Sequence, residues 1–188
     1  MATISSKIGK NLILAGVKRI VFVPWVKKEE GGSWEKGATG FALDDVVADT
    51  TAISQDDPET NAIDCETRDE PIVENVTQGS YQFTCESANI DTDILKECLG
   101  FTVTGSGSTM KAYAPASYKE VWAEIEVQFE NGSMVLPKVK MNSKIDASSL
   151  KTGVVRGVIS GTAYTTNVTD GVDSPFYMSG SPINEVTA

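Results

Sequence analysis

Residues 120–142 constrain the fold more than any other stretch. Val121, Ala123, Ile125, Val127 and Phe129 alternate with Trp122, Glu124, Glu126, Gln128 and Glu130, and Asn131-Gly132-Ser133 follows as a turn. Strict alternation is the mark of a strand with one apolar face against a core and one polar face toward water. The return segment fixes the expected register. A three-residue or bulged hairpin sets Ile125 against Val139, Phe129 against Val135, Glu126 against Lys138 and Glu124 against Lys140, keeping each face chemically uniform.

The rest of the chain agrees with a sheet protein. Val, Ile and Thr number 50 against 7 Leu, and β-branched side chains pack well on pleated surfaces but lose rotamer freedom in helices. Further strands are expected at Val17–Val23 (closed by Pro24), Asp49–Ser54, Thr60–Thr67, Ser80–Glu86 and Val154–Thr165. Gln55-Asp56-Asp57-Pro58-Glu59 is the turn between the second and third of these. Gly157 and Gly161 mark bends or close backbone approach in the last. Pro71 opens a loop.

One helix is expected at Asp91–Leu99. Asn89 or Asp91 can cap it, Gly100 occupies the C′ position, and Ile94, Leu95, Cys98 and Leu99 form an apolar stripe that lies on a sheet. The expected fold is therefore mainly β, a β-sandwich or barrel with one short α-helix. Its domain spans 17–166 with a long loop at 24–40, between an N-terminal arm (1–16) and a C-terminal arm (167–188) that is disordered alone or ordered only against a neighbour.

Composition limits the chemistry. With no histidine, neither imidazole-based nucleophile systems nor histidine-ligated zinc or haem sites can be built. Cys65, Cys85 and Cys98 are odd in number and lack CxxC spacing, as buried free thiols made in a reducing cytosol would be. Thr104-Gly105-Ser106-Gly107-Ser108 has Met110 where a dinucleotide fingerprint needs glycine, so it reads as a turn. Asp91-Thr92-Asp93 lacks the rest of an EF-hand loop, and Asp56, Asp57 and Glu59 have no glycine-shaped cage for calcium. No catalytic constellation, metal site or cofactor is expected, and no targeting or membrane-spanning segment.

Charge is unevenly placed. Between Asp44 and Glu74 there are eleven acids and one base, which accounts for the whole net charge of −10, whereas residues 1–28 carry six bases and no acid. Such asymmetry can draw copies of one chain together. An acidic protein is also poorly suited to gripping nucleic acid, whose phosphates require Lys and Arg.

Asp49–Glu66, Glu70-Pro71-Ile72, Gly79-Ser80-Tyr81-Gln82-Phe83 and the helix after them resemble phage major tail tube proteins, in which a strand, an Asp-Asp-Pro-Glu-Thr turn and a strand precede a further strand and a short helix. The resemblance covers little over a quarter of the chain. It implies a non-enzymatic virion protein, assembled in the host cytoplasm into six-membered rings that stack into a tail tube. Its partners would be itself and other tail proteins, with DNA passing through the lumen unbound and no membrane involved. On this reading Asp64, Glu66, Glu124, Glu126, Glu130, Lys138 and Lys140 face the lumen. Trp25, Trp34, Lys7, Lys10, Lys27, Lys28, Asp56, Asp57 and Glu59 are the candidates for contacts between subunits. The alternatives are another virion or cell-surface β-module (a head decoration, tail-tip or adhesin domain) or the tube of a bacterial contractile or secretion apparatus.

Overall fold

A computed structural model describes residues 16–28, 32–43, 45–65, 68–147, 155–168 and 171–184, with the side chains of 63–74 left out of account. Its strands are β1 (Val17–Lys27), β2 (Trp34–Lys36), β3 (Phe41–Leu43), β4 (Ala52–Gln55), β5 (Glu59–Cys65), β6 (Arg68–Thr77), β7 (Tyr81–Ser87), β8 (Thr102–Thr104) and β9 (Lys111–Tyr113). They continue with β10 (Trp122–Phe129), β11 (Gly132–Met141), β12 (Lys144–Asp146), β13 (Arg156–Ala163), β14 (Thr166–Asn167), β15 (Asp173–Ser174) and β16 (Tyr177–Ser179). The molecule is mainly β, as its composition implies.

One antiparallel sheet dominates, in the order β2-β1-β10-β11-β13-β7-β4, with β3 on β1, β16 on β11 and β12 on β13. Sheets twist, and a long twisted sheet buries its apolar face by curling. Here the curl brings Phe22 of β1 within 6.0 Å (ring centroids) of Phe83 of β7, although three strands separate them in the sheet. Two contacts stand at the gap: Leu43 pairs with Ile20 of β1, and Val46 bridges to Ser87 of β7. The result is a rolled sheet and not a closed barrel.

The core inside the roll contains Ile20, Phe22, Leu43, Phe83, Ala123, Ile125, Val127, Leu136, Val139 and Ile159, all buried. One helical turn, Ile94–Cys98, lies against it through Ile94 and Cys98, with Leu95 also buried. It is wound as a π-turn where the sequence predicts an α-helix over 91–99. Asp91 caps it, its Oδ1 accepting from the backbone N–H groups of Asp93 (2.9 Å) and Ile94 (2.8 Å). Gly100 ends it at φ +70°, a conformation that suits glycine at C′. Gly161 is a point of close approach, since a Cβ there would lie 2.5 Å from Val139 Cγ1 and 2.7 Å from the Lys140 carbonyl oxygen. Gly157 has ordinary clearance.

Four expectations need correction. In the central hairpin, Phe129 pairs with Gly132 across Glu130-Asn131, Glu126 faces Val135 and Ile125 faces Leu136. An extra residue on β11 then sets Ala123 against Val139 and Trp122 against Lys140, in place of the expected Ile125 and Glu124. The bulge falls at Pro137, which has no N–H to give the ladder. β1 runs through Pro24 to Lys27 and turns back as β2, so 24–40 is largely a hairpin. Pro71 lies within β6, a strand of an isolated two-stranded ribbon where a missing donor is tolerated. The C-terminal segment 173–184 is ordered on its own domain, with β16 on the edge of β11.

Candidate functional site: the outer face of β1, β10 and β11

The second face of the central strands is not wet. Glu126 is fully buried, Glu124 is 5% exposed, and Gln128, Ser133 and Val135 are buried beside them. The chain's own C-terminal segment covers them. Glu126 Oε1 accepts from the Ile183 backbone N–H at 2.7 Å. Its Oε2 accepts from the Asn184 backbone N–H at 2.9 Å and from Asn184 Nδ2 at 2.8 Å. Asn184 Nδ2 also donates to Glu124 Oε1 at 3.0 Å, where Lys36 Nζ forms an ion pair at 2.7 Å. Gln128 Nε2 donates to the Asn184 carbonyl at 2.8 Å, and Ser133 Oγ to the Ser181 carbonyl at 3.2 Å. A buried carboxylate is tolerable only when its lone pairs are filled and its charge met. Three donors to Glu126 and a lysine on Glu124 do this, so the two acids act as a clamp that holds an extended chain by its main-chain groups.

Toward Lys27 the same face becomes aromatic and cationic. All three tryptophans of the chain gather here. Trp34 and Trp122 have ring centroids 6.3 Å apart, and Tyr164 meets Trp122 edge-on at 5.1 Å. Lys138 Nζ lies 5.2 Å from the Trp25 ring and 4.9 Å from that of Trp122, within cation–π range. At the bulge the Pro137 carbonyl accepts from Trp25 Nε1 at 3.1 Å, which ties that ring to β11. Trp122 Nε1 is buried and meets no acceptor among the described residues. Lys140 lies 5.7 Å from both the Trp122 and Tyr118 rings and is paired with Glu120 at 3.1 Å, whose carboxylate holds the Lys140 pKa above the ordinary lysine value.

The lumen candidates thus separate. Glu124 and Glu126 are corrected from water-facing to buried, because the strap at 181–184 covers their face. Glu130 is exposed in the hairpin turn, and Lys138 and Lys140 lie on the aromatic platform. The Asp64 side chain and all of Glu66 fall outside the described residues, as do Lys7 and Lys10. Of the candidates for contacts between subunits, Trp25, Trp34 and Lys27 are on or beside the platform, and Lys28 forms an ion pair with Glu35. Asp56, Asp57 and Glu59 are exposed at the far side of the sheet. Sequence reasoning missed Lys36, Gln128, Ser133, Tyr164 and Asn184. The signal for the platform was Trp122, a large ring in the row of acids. The C-terminal clamp gave none, since Asn184 is an ordinary tail residue.

The two described thiols are core groups. Burial pushes the Cys85 pKa up to about 12, helped by the neighbouring Glu86 charge, and raises Cys98 in the same way. Thiolates are the reactive species. At pH 8 a thiol reagent is therefore expected to modify at most one of the three cysteines of the native protein, and all three in guanidinium. Rapid modification of two native thiols contradicts the placement of Cys85 and Cys98.

The fold and this face define a mainly β protein built on one rolled antiparallel sheet, whose terminal segment is clamped to its outer surface. No protein family's sequence profile matches the chain, and no curated protein does. Among the described residues no helix is long and apolar enough to cross a membrane.

Proposed function

We propose that the chain is a non-catalytic structural protein that assembles with itself into rings, and that these rings stack as a phage tail tube. The observation that carries this reading is the ribbon β5–β6. Among the described residues its strands pair only with each other, and its described side chains, 59–62 and 75–77, are all exposed. An isolated two-stranded ribbon is at best marginally stable in water, and its free edges invite a further strand. A second copy supplies that strand without any new sequence. The opposite ends of the main sheet, at β2 and β4, likewise have a free edge among the described residues. Contacts of this kind join unlike surfaces of identical chains, and these close into rings when the rotation permits.

The net charge of −10 suits a conduit that DNA traverses without being held. Six copies per ring follows from the family resemblance. The test is negative-stain microscopy with sedimentation velocity of the purified chain across a hundredfold range of concentration. Rings or tubes of uniform diameter are expected. A species that remains monomeric at the highest concentration overturns the proposal.

A further inference from the structure

One transverse row of residues crosses the outer face of the sheet: Trp122 pairs with Lys140, Lys140 with Thr162, Thr162 with Gln82, and Gln82 with Ser54. At one end of this row stands the tryptophan–lysine platform. At the other is the acidic turn after β4, where Gln82 Nε2 donates to Asp56 Oδ2 at 3.2 Å. The turn is held firmly, because Asp56 N–H donates to the Ser80 carbonyl at 2.9 Å and Gly79 packs so closely on the Asp56 backbone that no Cβ fits there. The two ends carry opposite charge. On the platform Lys140 is met by Glu120 and Lys36 by Glu124, whereas Lys27 and Lys138 have no carboxylate partner among the described residues. At the turn, Asp57 and Glu59 likewise have no cationic partner there, and Asp56 meets only the neutral Gln82 amide.

We infer that the platform of Trp25, Trp34, Trp122, Lys27 and Lys138 is the docking site for the acidic turn Asp56–Glu59 of a second copy. The inference rests on the self-assembly proposed above and deepens it by naming the two surfaces. From Lys140 to Ser54 the row crosses three strand spacings, roughly 14 Å along the sheet, and among the described residues no ion pair joins the two ends within one chain. Both ends lie at one level along the strands. A contact between the two ends therefore joins copies placed side by side, as around a ring. The aromatic rings add more than area. Lysine ammonium groups set against indoles are partly stripped of water, which strengthens an incoming ion pair, and Trp is the residue type most enriched where interface energy concentrates.

Reciprocal charge reversal tests the contact. K27E/K138E copies present acid to acid, and D56K/D57K/E59K copies present base to base, so each variant alone is expected to stay monomeric by sedimentation. An equimolar mixture restores every contact in alternation and is expected to assemble as the unmodified chain does. Assembly of either variant alone, or a mixture of folded variants that stays monomeric, overturns the inference. If either variant fails to fold by circular dichroism, the neutral substitutions K138Q and D57N replace them. Each is expected to raise the assembly concentration about tenfold, and the double variant no further. Strict additivity, or no change, refutes the contact. An unmodified chain that never assembles removes the self-assembly proposal itself, whereas normal assembly with failed rescue removes this interface alone.

Discussion

Replacing Glu126 by alanine is expected to lower the free energy of unfolding by ~3 kcal/mol, since each buried donor left without a partner costs roughly 1–3 kcal/mol and water can relieve part of the loss at a strap on the surface. Glu126 is fully buried and takes three N–H groups, two from the backbone at Ile183 and Asn184 and one from the Asn184 amide. Removing it deprives the strap of its anchor and leaves Gln128 and Glu124 as the remaining ties to Asn184. Glutamine at the same position keeps one acceptor and is expected to cost about half as much. Alanine at Glu130, exposed in the adjoining turn, is expected to change stability by less than ~0.5 kcal/mol. Urea unfolding at constant m-value reads all three. Limited proteolysis supplies an independent signal, with cleavage after residue 180 accelerated in the alanine variant only. Equal midpoints for the Glu126 and Glu130 variants refute the clamp.

That clamp also shows where sequence reasoning stops. The alternation in Val121–Phe129 correctly identifies the strand and its core face, because apolar side chains two residues apart must share a side. The same alternation predicts a wet opposite face, and this is wrong. What covers a polar face is decided by a segment more than fifty residues away, and Ser181-Pro182-Ile183-Asn184 carries no periodic mark of its role. Local signals with a single physical cause survive: the Asp91 cap, the Gly100 terminus and the apolar stripe between them. The hairpin register fails for a reason visible in hindsight. Matching faces by chemistry placed the extra residue at the turn, whereas it lies within β11 beside Pro137, and Lys138 and Lys140 then stand over the tryptophans. The platform was half legible, since Trp25 and Trp34 stand out in their segment, but their meeting with Trp122 depends on strand pairing that no local pattern encodes.

Phe22→Ala is the second substitution expected to act strongly, by ~3–5 kcal/mol, the range for deleting a buried aromatic ring and leaving its cavity. Phe22 is fully buried. Its ring stacks on Phe41 of β3 at 5.5 Å and meets Phe83 of β7 edge-on at 6.0 Å. These contacts have different structural meanings. Phe41 is a neighbour by strand pairing and would remain close in a flat sheet, whereas Phe83 is reached only because the sheet rolls. Truncating Phe22 therefore removes ring contact at the seam where the two limbs of the sheet converge. Val26→Ala on the same strand, at a residue 60% exposed, is the control and is expected to stay within ~0.5 kcal/mol. For a chain of this size each kcal/mol moves the melting temperature by roughly 2–4 °C, so Phe22→Ala should melt about 10 °C lower. The same variant should also assemble poorly even at temperatures where it remains folded. The curl sets the angle between the platform at one end of the transverse row and the acidic turn at the other, and closure of a ring tolerates little error in that angle. A Phe22→Ala protein that loses less than 1 kcal/mol and forms normal rings would show that the roll is held elsewhere, with the Phe22–Phe83 contact incidental to it.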